Sequence, residues 1–481
     1  MGYRVIGFGY KELQQNINLK TQKEKILKII QFFRFLILEN KLKDDSAENI
    51  QILKNAEINC KIISGDNLLT TVKCAKDSNI LDAKDNIIIL NTIKDAYYLN
   101  KPYEKIDITQ LLNSKQIDFK LGVTGTALID IQQMNDQQLI KNILENTLVF
   151  ARCKPEQKTE VIYLHQTLFN KKVGMIGDGS NDCSAIKQAD IGIQYIYIYI
   201  YIYIYIYIYH IFFFQFIIGV SFYETDASFS APFSYQKKSI NCITIILAEG
   251  RCVISNMIEC YRYYVTINVY KFAVALILLY EYSNYSNFQL VYINYFIAIP
   301  LLSFVSLSKP LKGLSKTRPN CNLLNKENAF RMGSQFILGS CGLFACYYHY
   351  IYQDFYQDIQ SLKNGHLYND QNIAINIMFL ASNIFFLITS ITYYVSQTFK
   401  QRMYKNRMYF IWFLILLIYS ILLYLFIDIL GFSAFQIVKE LHNKKKFLIE
   451  QLVIVLIFNI IIIIWEECVI KYIFSNKIKK L

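Results

Sequence analysis

Six long apolar stretches in the C-terminal half restrict the fold of this chain more than any other feature. They lie near residues 264–280, 288–307, 334–352, 373–395, 408–430 and 447–465. About 20 apolar residues span a bilayer as a helix, and in lipid the backbone must satisfy its hydrogen bonds within each helix. The 54% hydrophobic content and a mean hydropathy of +0.24 also exceed values typical of soluble domains. The sequence therefore predicts a multi-pass membrane protein that ends in an all-α bundle of six transmembrane helices.

Charge predicts how these helices cross the membrane. The second-to-third and fourth-to-fifth connections are basic, whereas the first-to-second and third-to-fourth are neutral or acidic. Because basic loops remain in the cytosol, both basic connections are predicted to be cytosolic. Three lysines before the last stretch, Lys444, Lys445 and Lys446, fall on the far side and break the rule.

The net charge of +13 does not indicate a nucleic-acid partner. The basic residues lie largely beside the apolar stretches, and the chain carries no nucleic-acid-binding motif. The 11 cysteines have no C-x-x-C spacing, which favours reduced thiols in a chain facing the cytosol. We therefore expect membrane lipid, and no nucleic acid, among the partners.

The stretch 175–193, MIGDGSNDCSAIKQADIGI, predicts a strand, a sharp turn and a helix. The apolar strand ends at Gly177, and Asn181 is expected as the N-cap of the helix. Asp178 and Asp182 would then lie at the carboxyl end of a strand, where α/β sheets bind ligands. Hard oxygen ligands there suit Mg²⁺ held against a phosphoryl group. The alternative is a Gly-Asp-rich turn without chemistry.

Two earlier segments repeat this pattern. A strand at 58–63 ends at Ser64-Gly65-Asp66-Asn67, and a helix over 67–76 follows. A hydroxyl and backbone N–H groups at a helix N-terminus form an anion site, although an ordinary capped turn would look the same. After a strand at 149–151, Pro155 is expected to begin a helix whose first turn carries Lys158. That lysine is predicted to contact phosphate, the alternative being a solvated surface residue.

These segments resemble the P-type ATPases. Residues 177–182 resemble the hinge motif of that family, residues 64–67 its (T/S)GDN segment, and residues 152–158 the segment that supplies its phosphate-binding lysine. Cys183, ETDAS at 224–228 and APF at 231–233 most resemble type V, class B. That class comprises endolysosomal pumps whose best-known substrates are polyamines.

The resemblance implies an α/β HAD-like (Rossmannoid) phosphorylation domain in which an aspartate takes the γ-phosphoryl group of ATP. It implies catalytic roles for Ser64, Gly65, Asp66 and Lys158, with Ser64 and Lys158 stabilising phosphoryl oxygens. It further implies that Asp178 and Asp182 hold Mg²⁺, and that Arg152 and Asn181 contribute to cofactor binding.

The implied domains are the C-terminal end of a nucleotide-binding domain (1–30), the phosphorylation domain (31–250) and the six-helix transmembrane domain (251–481). A low-complexity tract at 195–220 interrupts the second, beginning with alternating Tyr and Ile. A repeated AT dinucleotide encodes this alternation in every frame, since TAT and ATA are its codons. We expect a retained intron rather than a natural insert.

The chain contains no DKTG segment, which in this family carries the nucleophilic aspartate. We therefore expect the C-terminal half of a pump that is inactive without its N-terminal half. The whole protein would transport a cation, such as a polyamine, across an endolysosomal or other endomembrane, with the phosphorylation domain cytosolic. The alternatives are a membrane-anchored HAD-type phosphatase, a non-enzymatic relic or subunit, and a calcium-type or lipid-flipping pump.

Overall fold

The computed structural model describes two compact units, Met1–Thr244 and Ile245–Leu481, each of which is treated by itself. The residues that the structure describes are 4–10, 31–38, 42–82, 84–108, 119–134, 136–177, 180–195, 233–235, 239–319, 322–356, 372–394, 398–427, 435, 437–470 and 473.

The first unit combines strands and helices. Its strands are β1 Arg4–Tyr10, β2 Gln31–Leu38, β3 Ile62–Ile63, β4 Ile87–Thr92, β5 Asp95–Tyr98, β6 Lys101–Ile106, β7 Lys120–Thr124, β8 Thr147–Ala151, β9 Gly174–Gly177, β10 Ile191–Tyr195 and β11 Phe233–Tyr235. Its helices are α1 Ser46–Asn55, α2 Leu68–Asp77, α3 Gly125–Gln132, α4 Gln137–Asn146, α5 Pro155–Phe169 and α6 Cys183–Gln188.

A six-stranded mixed sheet forms the centre of this unit, in the order β3-β8-β7-β4-β5-β6. The first four strands are parallel, and β5 and β6 add an antiparallel edge. Ile88, Leu121, Val123 and Phe150 are buried in one cluster with residues of the helices, including Leu128 of α3. Parallel strands that are covered by helices have such near-continuous apolar sequences.

Two smaller sheets complete the first unit. In one, β9, β10 and β11 are parallel, with Ile193 of β10 opposite Phe233 of β11. In the other, β1 and β2 pair antiparallel. Most of the low-complexity tract predicted at 195–220 lies outside the described residues.

The second unit is helical. Its long helices are α7 Asn241–Tyr280, which begins within the first unit's residues, α8 Asn287–Val305, α9 Lys326–Ile351, α10 Ile373–Tyr394, α11 Arg407–Leu425 and α12 Lys445–Ile464. Within the described residues, five are long and apolar enough to cross a membrane, namely α7, α8, α10, α11 and a span Lys445–Cys468 that includes α12. The predicted stretch 334–352 falls in α9, which is not among the five. The count of six is therefore not confirmed.

Buried ion pairs join the helices of this unit. Lys400, in the loop after α10, pairs with Glu259 of α7, and Arg331 of α9 pairs with Glu466 beyond α12. Helix α10 is buried along almost its whole length, as a central helix surrounded by others must be.

One local prediction needs correction. Only Ile62 and Ile63 of the strand predicted at 58–63 pair in the sheet. Residues 241–248 form the first part of the 40-residue helix α7, and residues 109–118 lie outside the described part. The hairpin β5–β6 and the unit β7–α3 were not foreseen, because mixed polar sequence conceals their alternation.

Candidate active site

The SGDN segment forms a capped turn between β3 and α2, as predicted. The backbone N–H of Ser64 donates to the Phe150 carbonyl at 2.9 Å, which continues the pairing of β3 with β8. The Ser64 hydroxyl accepts from the N–H of Asp66 at 3.1 Å, and Asn67 caps α2 by accepting from the N–H of Leu69 at 3.2 Å. The turn therefore presents a hydroxyl and a helix N-terminus at the carboxyl end of β3.

The loop after β8 lies directly beside this turn. The N–H of Arg152 donates to the Asp66 carbonyl at 3.0 Å, and that of Cys153 donates to the Ser64 carbonyl at 3.1 Å. Arg152 has a left-handed backbone with φ of 51°, which is uncommon outside glycine and turns the chain towards α5. Two segments about 90 residues apart in sequence thus share one edge of the sheet, and the Arg152 side chain is exposed there.

Lys158 and Asp182 form an ion pair across two elements. Pro155 occupies the first turn of α5, as expected, and the Lys158 ammonium lies 2.7 Å from Asp182 Oδ1. The N-terminal part of α5 also contacts α6, because the Thr159 hydroxyl donates to Ser184 Oγ at 3.0 Å. The interpretation of Lys158 as a solvated surface lysine is wrong, because the residue is buried.

Asp182 packs over the end of β9. A Cβ atom at Gly177 would lie 2.8 Å from both Cβ and Oδ2 of Asp182, so only glycine permits this approach. Helix α6 begins at Cys183 with Asp182 at the N-cap position, after a 3₁₀ turn over Ser180–Asp182. The prediction of Asn181 as N-cap is therefore wrong by one residue. Asn181 is exposed, and the Asp182 carboxylate binds Lys158 instead of capping the helix.

A third loop at the same edge was missed. Thr124 ends β7 and caps α3, accepting from the N–H of Ala127 at 3.3 Å. Gln157 joins this loop to α5: its Nε2 donates to the Gly125 carbonyl at 2.7 Å, and its Oε1 accepts from the N–H of Lys154 at 2.9 Å. The segment VTGT at 123–126, an apolar strand followed by hydroxyls around a glycine, is the signal that could have revealed it.

Asp190 fixes the start of β9. It accepts from the N–H of Val173 at 2.9 Å, from Lys172 at 2.9 Å and from Gln166 at 3.0 Å. The backbone bond to Val173, followed by the bonds from Lys172 and Gln166, lowers the pKa of Asp190 to about 2. Its carboxylate thus links α5, α6 and β9 and holds the hinge segment in place.

Cys153 is an inert neighbour of the site. Burial raises the pKa of its thiol to about 11, and the charge of Lys158 lowers it only in part. The thiol therefore stays protonated and unreactive near neutral pH.

The residues fit a divalent cation in part. Asp182 offers a second carboxylate oxygen beside its bond to Lys158, and Mg²⁺ prefers such hard oxygen ligands. Asp178, the other predicted ligand, lies outside the described residues, as does Gly179. Among the described residues no group of three or more His, Cys, Asp or Glu side chains could hold a metal ion.

Comparison with known proteins shows what the sequence of this chain is similar to. The chain is 28% identical to "Probable cation-transporting ATPase 9" of Tetrahymena thermophila over 84% of its length. It is 26% identical to "Vacuolar cation-transporting ATPase YPK9" of Saccharomyces cerevisiae over 84%, and 24% identical to "Polyamine-transporting ATPase 13A3" of Mus musculus over 97%. The chain is a homologue of the type V P-type ATPases.

This P-type ATPase homologue spans 38%, 27% and 39% of the lengths of those three relatives. No protein-family model matches it. The similarity to cation- and polyamine-transporting ATPases confirms the predicted resemblance.

Proposed function

We propose that this chain supplies the phosphate- and magnesium-binding part of a P-type ATPase whose HAD-like phosphorylation domain forms an aspartyl-phosphate. The observation that carries the proposal is the buried Lys158–Asp182 pair at the carboxyl edge of the parallel strands. Lys158 would neutralise the transferring phosphoryl oxygens, and the Ser64 hydroxyl would donate to them. Mg²⁺, when bound by Asp178 and Asp182, supplies charge neutralisation between the phosphates.

Strands β3 and β9 each lie at the edge of their sheet, which leaves a position for one further strand at this site. Among the described residues, β3 pairs only with β8, and β9 pairs only with β10. Both belong to parallel sheets, and the Lys158–Asp182 pair links α5, which follows β8, to the turn after β9. We propose that a parallel strand from the N-terminal half of the pump lies between β3 and β9. Its carboxyl end would then place the nucleophilic aspartate between Ser64 and Asp182.

The chemistry that follows is an in-line phosphoryl transfer. The carboxylate of that aspartate attacks the γ-phosphorus of ATP, the bond to the β–γ bridging oxygen breaks, and ADP leaves. Since the printed sequence holds no DKTG, the chain by itself is proposed to be inactive in this step. Exposed Arg152 and Asn181 would contact the nucleotide or its phosphates.

The cargo is proposed to be a cation, as in the names of the relatives, and polyamines are the first candidates. Lys271 in α7 donates to Asn294 Oδ1 of α8 at 2.5 Å. Asn294 lies in the π-helical segment Tyr292–Ala298, and such segments often mark functional sites. A cationic amine would compete with Lys271 for this carbonyl oxygen.

We propose a multi-pass protein of an endomembrane, with six spans that include α9 and with the first unit in the cytosol.

Residues 195–220 are proposed to be absent from the mature protein. A parallel crossover needs about a dozen residues or more. Without the tract, residues 221–232 would still join β10 to β11, whose strands pair through Ile193 and Phe233. Amplification of cDNA across the codons for Ile193 and Ser221 tests this, and a dominant product that retains the repeat would overturn it.

Joining this chain to the N-terminal part of the Tetrahymena relative tests the function. The joined protein should incorporate ³²P from [γ-³²P]ATP into an acid-stable, hydroxylamine-labile bond when Mg²⁺ is present. Asp178→Asn should lose most of the incorporation, whereas Asp77→Asn, at an exposed site on α2, should not. Hydrolysis of p-nitrophenyl phosphate without incorporation would favour the phosphatase alternative. Neither activity would favour a non-enzymatic subunit.

A further inference from the structure

One surface of the second unit concentrates positive charge without any negative charge. Segments 306–326 and 396–407 contain nine lysines and arginines and no aspartate or glutamate. Besides Lys326 at the start of α9, six of these residues are exposed and form no ion pair within the described part of the chain. We call them the basic face: Lys309, Lys312, Arg318, Arg402, Lys405 and Arg407.

Backbone hydrogen bonds hold the two segments together. Pro310 and Lys400 form an isolated antiparallel bridge, in which the N–H of Gln401 donates to the Lys309 carbonyl at 3.0 Å. The N–H of Leu311 also donates to the Phe399 carbonyl at 3.2 Å. The basic face is therefore one preformed surface and not two independent loops.

Side chains fix this surface to the neighbouring helices. Lys400 turns inward to Glu259 of α7, and Asn406 donates to the Phe304 carbonyl of α8 at 2.7 Å. Arg251 of α7 donates to the Ser315 carbonyl at 2.6 Å. Within the described residues, the ion pair of Lys400 is buried, whereas the six cations of the basic face have no carboxylate partner.

Apolar side chains are interspersed with these cations. Leu307, Leu311, Tyr404 and Met408 are exposed beside them, close to the ends of α8 and α11. An acidic protein domain would bind the charges but would leave these side chains no apolar partner. A membrane interface accommodates both, since apolar groups enter the acyl boundary while Lys and Arg contact headgroup phosphates.

We propose that the basic face is a binding site for anionic phospholipid headgroups of the leaflet at this end of the helices. Its ligands are the phosphate and carboxylate oxyanions of lipids such as phosphatidylserine. Each cation near a charged membrane surface strengthens association about fivefold at low salt. The site is independent of the proposed phosphoryl transfer, because it uses no residue of the first unit.

Tryptophan fluorescence can measure this binding on the full chain. The chain has two tryptophans, and Trp412 lies on α11 five residues after Arg407. In a Trp465→Phe background, quenching of Trp412 by brominated phosphatidylserine and by brominated phosphatidylcholine gives the ratio of their association constants. We expect a ratio of about five or more at 10 mM salt that falls towards one at 1 M, where screening extends to only about 3 Å.

A triple variant and a matched control locate the effect. Lys312→Gln/Arg402→Gln/Lys405→Gln removes half of the basic face and should lower the low-salt ratio severalfold. Lys94→Gln/Lys101→Gln/Lys105→Gln removes three exposed lysines from the first unit and should leave the ratio unchanged. A wild-type ratio near one, or a ratio that the triple variant leaves unchanged, would overturn the proposal. So would loss of the preference on adding millimolar inorganic phosphate at constant ionic strength, since the site would then bind a soluble anion.

Discussion

The two units use ion pairs between lysine and carboxylate in opposite ways. In the second unit, the side chains of Lys400 and Glu259 are 0% and 4% exposed and enclosed by helices. In the first unit, Lys158 and Asp182 are 11% and 14% exposed and lie at an edge where three loops meet. The enclosed pair has no access to a ligand and stabilises the packing of a loop on α7. The pair at the sheet edge keeps a carboxylate oxygen and an ammonium beside a polar site, which suits chemistry.

Removing one member of the enclosed pair should have the largest effect. Lys400→Met leaves Glu259 as a buried carboxylate without its cation, at a cost of about 3–5 kcal/mol. Thermal or urea unfolding of the chain in detergent measures this cost. The double variant Lys400→Met/Glu259→Gln should recover part of the stability. A Lys400→Met variant as stable as the wild type would show that the pair is not structural.

The close packing of Asp182 on Gly177 allows a test of the Lys158–Asp182 pair. Gly177→Ala places a methyl group 2.8 Å from Asp182 Cβ and should destabilise the first unit by about 1–3 kcal/mol. At Gly174 on the same strand, the nearest atom to a new Cβ is the Ile191 carbonyl oxygen, at 3.7 Å, which is an ordinary contact. Hydrogen exchange of β9 amides should therefore accelerate in Gly177→Ala and much less in Gly174→Ala. Equal exchange in the two variants would contradict the close approach of Asp182.

A partly buried histidine in the second half of α5 should make the first unit sensitive to acid. Burial, reinforced by the charges of Lys61 and Lys171, lowers the pKa of His165 to about 4 from 6.5. Between these values the unfolded chain binds more protons than the folded one, so stability falls as pH falls from about 6.5 to 4. From pH 7 to pH 5 the loss should be about 2 kcal/mol.

Replacing the imidazole tests that pH dependence. His165→Phe should remove most of it, as measured by hydrogen exchange of β8 and α5 amides at the two pH values. An unchanged pH dependence in the variant would assign the effect to other groups.

An ion pair with an exposed lysine should matter least. Lys172 and Asp190 lie 2.9 Å apart, but the lysine side chain is 90% exposed. Water and salt screen such a pair, so Lys172→Ala should change the free energy of unfolding by less than about 1 kcal/mol. Asp190→Ala should cost more, because Asp190 also accepts from Val173 and Gln166. Equal effects of the two variants would count against the backbone bond to Val173 as the main contribution.

Local signals predicted the parts of the site that depend on neighbouring residues. Asn67 caps α2 and Pro155 begins α5, because capping and the fixed φ of proline act within one turn. Lys400, in contrast, was indistinguishable in sequence from the solvated cations around it. Its burial depends on Glu259, 141 residues away, and no local pattern records such a partner.

Tertiary contacts also explain the two misreadings near the site. Asn181 and Asp182 are comparable capping residues by propensity, and Asp182, whose carboxylate pairs with Lys158, occupies the N-cap position of α6. The β7–α3 loop escaped notice because its function in the site depends on Gln157, which reaches it from α5. The sequence indicates which loops follow strands, but long-range hydrogen bonds between side chains and other loops determine which loops lie together in the site.

Phosphoenzyme yield of the Lys158→Ala variant tests the central claim most directly. In the protein joined to an N-terminal half, this variant should lose most of its ³²P incorporation per folded molecule, although the loss of the cation beside Asp182 also lowers the unfolding temperature. Lys400→Met is the contrasting case, with a lowered unfolding temperature but normal incorporation per folded molecule. Undiminished phosphoenzyme in Lys158→Ala would contradict the account, since the buried Lys158–Asp182 pair would then be structural like the Lys400–Glu259 pair.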